Sequence, residues 1–131
     1  MNQDRANTAR ELLAFWDQQL ARRRIHLVYG AVRDKAVDEI TGLLFPRAAS
    51  VILTQPKQPR AISAQALAEM TAHLAPQAEV IADPAEALER AIKHAGAEDA
   101  VFATGSLYLV GDLRRWWKTR VVQPISARRM A

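Results

Sequence analysis

Cysteine is absent from the 131 residues, which excludes a disulfide framework, a thiolate nucleophile and any Cys-ligated zinc or iron–sulfur site. No apolar run approaches the roughly 18 residues that a membrane-crossing helix requires. The opening Met1-Asn2-Gln3-Asp4-Arg5 lacks the apolar core of a secretory signal. Glycine is scarce: its five positions form neither a Gly-x-x-x-x-Gly-Lys-Ser/Thr phosphate loop nor a Gly-x-Gly-x-x-Gly dinucleotide fingerprint. His26, His73 and His94 show no ligand spacing and read as packed or surface side chains, so no metal site is expected. What remains is half apolar and 24% charged, as in an ordinary globular domain. The length fits one domain, alone or with a tail, and the expected setting is the cytoplasm, away from membranes.

Charge is unevenly placed. Residues 113–131 hold Arg114, Arg115, Lys118, Arg120, Arg128 and Arg129 and no acid, which leaves 12 basic against 14 acidic side chains in the rest. A basic tail suits nucleic acid or an acidic membrane surface, and equally a solvated C-terminus. The solvated reading is favoured, because Arg114 and Arg115 are expected in the last turns of a helix, where cations complement the dipole. Trp116-Trp117 beside them offers stacking surface for bases. Trp117 falls on the apolar stripe of its helix, however, and packing is the stronger reading. The body is taken as residues 1–118 and the basic tail as 119–131.

The body reads as a leading helix followed by four strand–helix units. Thr8-Ala9-Arg10-Glu11 is a capping-box pattern, and Ala9, Leu12, Leu13, Trp16 and Leu20 recur at helical spacing after it. Ile25-His26-Leu27-Val28-Tyr29-Gly30 does not alternate cleanly, as expected of a strand buried on both faces. Asp34 is expected to cap a second helix with Val37, Ile40 and Leu44 inward. Ser50-Val51-Ile52-Leu53-Thr54 is a second strand, and Ser63 caps a third helix with Leu67, Met70 and Leu74 inward. Glu79-Val80-Ile81-Ala82 is a third strand. Asp83-Pro84 opens a fourth helix carrying Leu88, Ala91, Ile92 and Ala95, with Gly96 at its C-terminal cap. Ala100-Val101-Phe102-Ala103-Thr104 is the fourth strand. A last helix carries Leu107, Val110, Leu113 and Trp117, and Val121-Val122 is a candidate edge strand.

This alternation implies an α/β fold with a mostly parallel sheet and helices on both faces. Ligands in such sheets bind at the carboxyl ends of the strands. That rule selects four loops. In the first, Gly30 permits a sharp turn, and Lys35 is placed in the first turn of the following helix. A Lys there gains nothing from the dipole, so it points either to an anion held at that place or to a solvated side chain. In the last, Thr104-Gly105-Ser106 is either an anion cradle or an ordinary N-cap serine. The loop Gln55-Pro56-Lys57-Gln58-Pro59-Arg60 carries two cations on a stretch stiffened by prolines, and either lines an acidic-ligand site or is solvated. Asp83-Pro84 forms the fourth loop and reads as a helix cap.

Leu27-Val28-Tyr29-Gly30-Ala31-Val32-Arg33-Asp34-Lys35 resembles the Gly-x-x-x-Asp-Lys segment of folylpolyglutamate and dihydrofolate synthases, members of the Mur ligase superfamily. Pro59-Arg60-Ala61 is similar to their Pro-Arg-Ala. Thr104-Gly105-Ser106-Leu107-Tyr108-Leu109-Val110-Gly111 resembles their Thr-Gly-Ser-Leu-Tyr-x-Val-Gly. Order and spacing agree from about Thr8 to Trp117. The resemblance covers the C-terminal domain of those enzymes and implies a three-layer αβα, Rossmann-like fold. The larger ATPase domain and its phosphate loop have no counterpart in these residues. The family's Asp-x-Ala-His-Asn segment corresponds to Gln3-Asp4-Arg5-Ala6-Asn7, where only Asn7 matches in register, so that part of the nucleotide site is lost or replaced.

The resemblance implies an ATP-dependent ligase of folate metabolism, in which L-glutamate is joined to the acyl phosphate of a folate or pteroate substrate. ATP and Mg2+ would be held mainly by the ATPase domain, and no cofactor is expected for this chain alone. Lys35 would pair with a glutamate carboxylate, Ser106 would hydrogen-bond to one, Asp34 would position the loop, and Arg60 would face the closed interface. Gly30 and Gly105 would supply the loop backbone. None of these is a nucleophile or an evident base, so no catalytic residue is assigned. The alternative is a non-catalytic small-anion-binding or partner-docking module. No nucleic-acid partner is expected: a salt titration of DNA or RNA binding should find only weak affinity, and sub-micromolar binding at physiological salt would overturn this.

Overall fold

In a computed structural model of the chain, residues 2–33, 36–105 and 107–120 are described. The elements run α1 (Asn2–Gln19), β1 (Ile25–Gly30), α2 (Val37–Leu44), a 3-10 turn at Phe45–Arg47, β2 (Ser50–Leu53), α3 (Ala64–Met70), β3 (Glu79–Val80), α4 (Pro84–His94), β4 (Ala100–Gly105) and α5 (Leu107–Arg120). The four strands form one parallel sheet in the order β3-β2-β1-β4. All six residues of β1 are buried, which is why its sequence does not alternate.

Successive β1 side chains point to opposite faces, and each face has its own core. Ile25, Leu27 and Tyr29 join Val51 and Leu53 under α1, α2 and α3. Val28 joins Ile52 under α4 and α5, against Ala87, Leu88, Ala91, Leu109 and Leu113. The expected three-layer αβα, mostly parallel sheet with helices on both faces is therefore present. Leu27, Leu53 and Leu67 are wholly buried, and each contributes about 2 kcal/mol relative to an exposed side chain. Edge-to-face contacts of Trp16 on Phe102, with ring centroids 5.4 Å apart, tie α1 to β4. Ion pairs Arg10–Glu39 and Arg47–Asp17 hold α1 to the α2 region. Among the described residues no helix is long and apolar enough to cross a membrane.

The caps at Ser63 and Asp83 form as expected: Ser63 accepts from the Ala66 N–H and Asp83 from the Glu86 N–H. Elsewhere the helix ends differ from the sequence reading. α1 starts at Asn2, so Thr8 lies inside it; the preceding residues include no glycine or proline to stop it. α2 starts at Val37, with Ala36 in the cap position and no side-chain cap, so Asp34 is not its N-cap. α4 ends at Ala95 in extended conformation rather than at a glycine cap. The reason is that the Asp99 carboxylate accepts the Gly96 N–H, which removes the need for a left-handed turn. Met70 is exposed, because α3 is only seven residues long and ends there. On α5 the buried stripe is Leu109 and Leu113, with Val110 half-buried on its flank. α5 continues to Arg120, so Arg114 and Arg115 stand mid-helix rather than in its last turn. The side chains of Leu107, Trp116 and Trp117, and all of 121–131 with Val121-Val122, lie outside the described residues.

β1 and β4 are neighbours whose following helices lie on opposite faces, α2 above and α5 below. That makes the carboxyl ends of β1 and β4 the switch point of the sheet, where ligands enter in this architecture. The strands end in register at Gly30 and Gly105. Gly105 has φ +132°, and a Cβ there would stand 1.9 Å from the Gly30 carbonyl oxygen. Gly42, mid-helix on the exposed side of α2, would meet nothing within 4 Å. Urea denaturation should therefore separate the two. Gly42→Ala is expected to stabilise by about 0.5–1 kcal/mol, and Gly105→Ala to destabilise by at least about 2 kcal/mol.

Candidate functional site

The floor of the switch point is backbone. Gly30 is hemmed by β2: a Cβ on it would come within 3.1 Å of the Thr54 carbonyl oxygen and 3.2 Å of the Pro56 ring. Thr54, fully buried, takes the Tyr29 carbonyl with its N–H at 2.9 Å. Its hydroxyl donates to the Ala82 carbonyl at 3.0 Å, so one residue links the ends of β1, β2 and β3. Tyr29 is buried edge-on against Phe45 and anchors the strand just before the glycine.

Beyond that floor the loops after β1 and β2 pair with each other. Val32 and Ala61 form an antiparallel bridge. The Arg33 N–H donates to the Arg60 carbonyl at 3.2 Å, and the Ile62 N–H to the Ala31 carbonyl at 2.9 Å. Ala31, Val32 and Ile62 are buried beneath this short ribbon, and Arg33 and Arg60 are exposed opposite each other on it. No ion pair joins either guanidinium to a described acid.

Lys57 is held differently. Its backbone N–H donates to the Asp112 carboxylate at 3.0 Å, and its ammonium pairs with Asp83 at 3.4 Å. Asp112, 11% exposed, also pairs with Arg115 on its own helix. The Gln55 side chain accepts the Ala64 N–H at 3.1 Å, at the start of α3. The loop is thus pinned by α3, α4 and α5 together. Asp83 is held below the usual carboxylate range, chiefly by the Glu86 N–H, against the opposing effect of burial and with help from Lys57.

Of the residues singled out from sequence, Gly30 and Gly105 meet across the switch point, and Arg60 stands on the adjoining ribbon. Asp34, Lys35 and Ser106 lie outside the described residues. Their flanking residues are placed: Arg33 on the ribbon, Ala36 buried at the start of α2, Gly105 at the end of β4. α2 begins at Val37. Asn7 is tied to Arg10 on α1, inside a helix rather than in a loop. Sequence reasoning missed Arg33 and the Asp112 clamp, because both depend on contacts between separate loops. Among the described residues there is no group of three or more His, Cys, Asp or Glu side chains that could hold a metal.

At the opposite, amino edge of the sheet, His26 is buried as a strut. Its Nδ1 lies 2.7 Å from the Ser50 hydroxyl and its Nε2 2.9 Å from Asp99. Asp99 is held below the usual carboxylate range, first by the Gly96 N–H and then by His26. His94 pairs with Glu79 at the surface, and His73 is exposed.

The chain was compared with known proteins. Residues 5–107 match the family model described as Mur ligase, glutamate ligase domain. A probable bifunctional folylpolyglutamate synthase/dihydropteroate synthase of Haloferax volcanii is 39% identical over 101 residues, 76% of this chain and 12% of that protein. A Yersinia pestis bifunctional folylpolyglutamate synthase/dihydrofolate synthase, solved with AMPPNP and Mn, superposes with TM-score 0.77 at 26% identity, over 86% of this chain and 26% of that one. A bifunctional folylpolyglutamate synthase/dihydrofolate synthase with Mn, AMPPNP and L-glutamate bound gives TM-score 0.67 at 25% identity, over 79% and 24% of the two chains. The chain thus spans about an eighth of the curated relative, and about a quarter of each solved structure.

The lowered Asp99 carboxyl predicts an acid-dependent contribution to stability. A carboxylate depressed in the folded state stabilises fully above its ordinary value of 3.8, and that contribution fades as the pH falls through the folded value. Asp99→Asn should therefore lower the urea midpoint at pH 7, and the gap to the native chain should narrow as the pH falls below 3.8. A gap that stays constant with pH would show that the charge of Asp99 is not what matters.

Proposed function

The chain belongs to the Mur ligase family as a glutamate ligase domain, and on that premise we propose that it positions incoming L-glutamate for amide ligation to a folate or pteroate acyl phosphate. The observation that carries the proposal is the meeting of Gly30 and Gly105 at the switch point. The segment 34–35 follows the first strand end by four residues, and Ser106 follows the second directly. Two chain segments with anion-binding side chains therefore leave from one place. In this reading Lys35 pairs with a carboxylate of glutamate, Ser106 donates a hydrogen bond to it, and Asp34 positions the loop. Arg60 faces the closing second domain. These groups bind and orient; holding the amine against the acyl carbon is the kind of contribution that is worth many powers of ten in effective concentration.

ATP supplies the phosphoryl group that activates the acceptor, and Mg2+ supports its transfer. The described donors at the switch point do not fit a metal: they are backbone and guanidinium groups, and Asp83 and Asp112 are engaged by Lys57 and Arg115. Nucleotide and metal therefore belong, in this proposal, to an ATPase domain that closes over the site. A relative solved with L-glutamate, AMPPNP and Mn binds all three groups that this reading requires.

Two measurements test the proposal. Purified as the 131-residue chain, the protein should show no ATP hydrolysis above background, and clear turnover would refute the assignment. It should bind L-glutamate weakly, and Lys35→Ala should weaken that binding by about tenfold, the scale of one charge-assisted hydrogen bond. An unchanged affinity would remove Lys35 from the site.

A further inference from the structure

A row of polar side chains at the amino edge of the sheet has the parts of an activated hydroxyl. The Ser50 hydroxyl lies 2.7 Å from His26 Nδ1, and His26 Nε2 lies 2.9 Å from the Asp99 carboxylate. The three residues come from the start of β2, from β1 and from the turn before β4. Only the parallel sheet brings them together, because His26 is 24 positions from Ser50 and 73 from Asp99. The Gly96 N–H and then His26 hold Asp99 below the usual carboxylate range, so at neutral pH it is ionised and can only accept. That places a hydrogen on Nε2. A neutral imidazole then turns a lone pair at Nδ1 toward Ser50, and the Ser50 hydroxyl donates to it.

The base is the buried member of the row: the His26 side chain is 4% exposed, whereas Ser50 is partly exposed. A proton accepted at Nδ1 enters a ring whose other nitrogen already faces a negative charge, which favours the imidazolium. A hydroxyl within hydrogen-bond reach of a base, with that base oriented by a third group, is the arrangement that turns an inert serine into a nucleophile. Ser63 gives the contrast, since it is exposed and its hydroxyl oxygen accepts the Ala66 N–H as a helix cap.

We propose that Ser50 is an activated nucleophile that takes the acyl group of small activated esters. In that step Oγ forms a bond to the acyl carbon while its proton passes to His26 Nδ1. The adduct collapses by breaking the bond to the leaving oxygen, which takes the same proton back from Nδ1. An acyl-serine and an alcohol result, with no further reactant. Asp99 acts as a positioning residue, holding the ring and its tautomer. The adjoining Ala49 and Ala100 N–H groups are committed to the Ile25 and Arg24 carbonyls, so neither can serve an oxyanion. Once Ser50 is acylated, water has little access to the buried base. The site is therefore one of covalent modification, in which the adduct accumulates, rather than one of rapid turnover. It lies at the edge opposite the switch point and does not depend on the glutamate reading.

The probe is p-nitrophenyl acetate, incubated at pH 7 with the full 131-residue chain. Peptide mass spectrometry maps the acetyl groups over time, with Ser63 as the internal reference. Ser50 is expected to be acetylated about a hundredfold faster than Ser63, the low end of what a positioned general base contributes. Similar rates at the two serines would overturn the proposal. That comparison needs no variant, so it decides the matter even where a substitution prevents folding. Asp99→Asn should slow acetylation of Ser50 by at least about tenfold and leave Ser63 unchanged. The reason is that an amide can donate to Nε2, which moves the ring hydrogen to Nδ1 and ends its role as acceptor. An unchanged Ser50 rate in folded Asp99→Asn would also overturn the proposal. Ser50→Ala should abolish the fast release of nitrophenolate, and fast release that survives it would place the reactive group elsewhere.

Discussion

The architecture depends on one close approach: Gly105 against Gly30 at the carboxyl ends of β4 and β1. A side chain on Gly105 would overlap the Gly30 carbonyl, and its backbone lies in a region open to glycine. Because the two residues are also partners in the parallel ladder, the contact keeps β4 in register to its last residue. The chain can then turn immediately into α5, on the face opposite α2. Without that turn the two crossovers would not part at the same point, and the sheet would have no crevice between β1 and β4. Gly30 is equally constrained from its other side by Thr54 and Pro56. The end of β1 is therefore gripped by backbone from both neighbouring strands, which leaves it little freedom to adjust to a ligand.

The two edges of the sheet treat polar groups differently. At the amino edge they satisfy one another: His26 lies between Ser50 and Asp99, Asp99 also takes the Gly96 N–H, and the Ala49 and Ala100 N–H groups donate to the Ile25 and Arg24 carbonyls. Burying a histidine without partners would cost several kcal/mol; with both ring nitrogens engaged it braces β1 against β2 and the start of β4. At the carboxyl edge the backbone is equally well paired, but Arg33 and Arg60 are not matched with described acids. The polar groups of the amino edge close on themselves, and at the carboxyl edge the two exposed guanidiniums are not closed by described acids.

This division explains what the sequence disclosed. Period and punctuation identify β1, β2, β4 and the Asp83-Pro84 helix start, because those signals are local: apolar runs, a capping side chain, a proline at the first helical position. Gly30 and Gly105 are legible as strand ends for the same reason, each ending an apolar run. Helix ends were harder. Gly96 looks like a cap until Asp99 is seen to take its N–H, and Asp34 looks like a cap until α2 is seen to begin at Val37. Arg33 and Arg60 are 27 positions apart, and Lys57 and Asp112 are 55 apart. Only the folded sheet brings such pairs together, and no spacing rule could have named them. The family motifs point to Arg60 but are silent on its partner.

The proposed function also accounts for a second body acting together with a glutamate ligase domain of this kind. A switch point of this kind is bounded by the strand ends and the loops that leave them. An acyl phosphate is readily hydrolysed, so a productive site must exclude water as the amine attacks. The described residues at this edge supply a rigid floor, a pinned loop and cations, with no group of side chains placed to hold a metal. In the proposed reading such a surface would aim an acidic nucleophile, and a second domain would roof the reaction. A floor gripped from both sides by neighbouring strands is then an advantage. On the proposed function, if another domain closed over it, the position of a bound amine would be set by the Gly30–Gly105 junction rather than by the closure itself. Small differences in how far the two bodies close would leave the attacking atom in place, which is what orientation-driven catalysis demands.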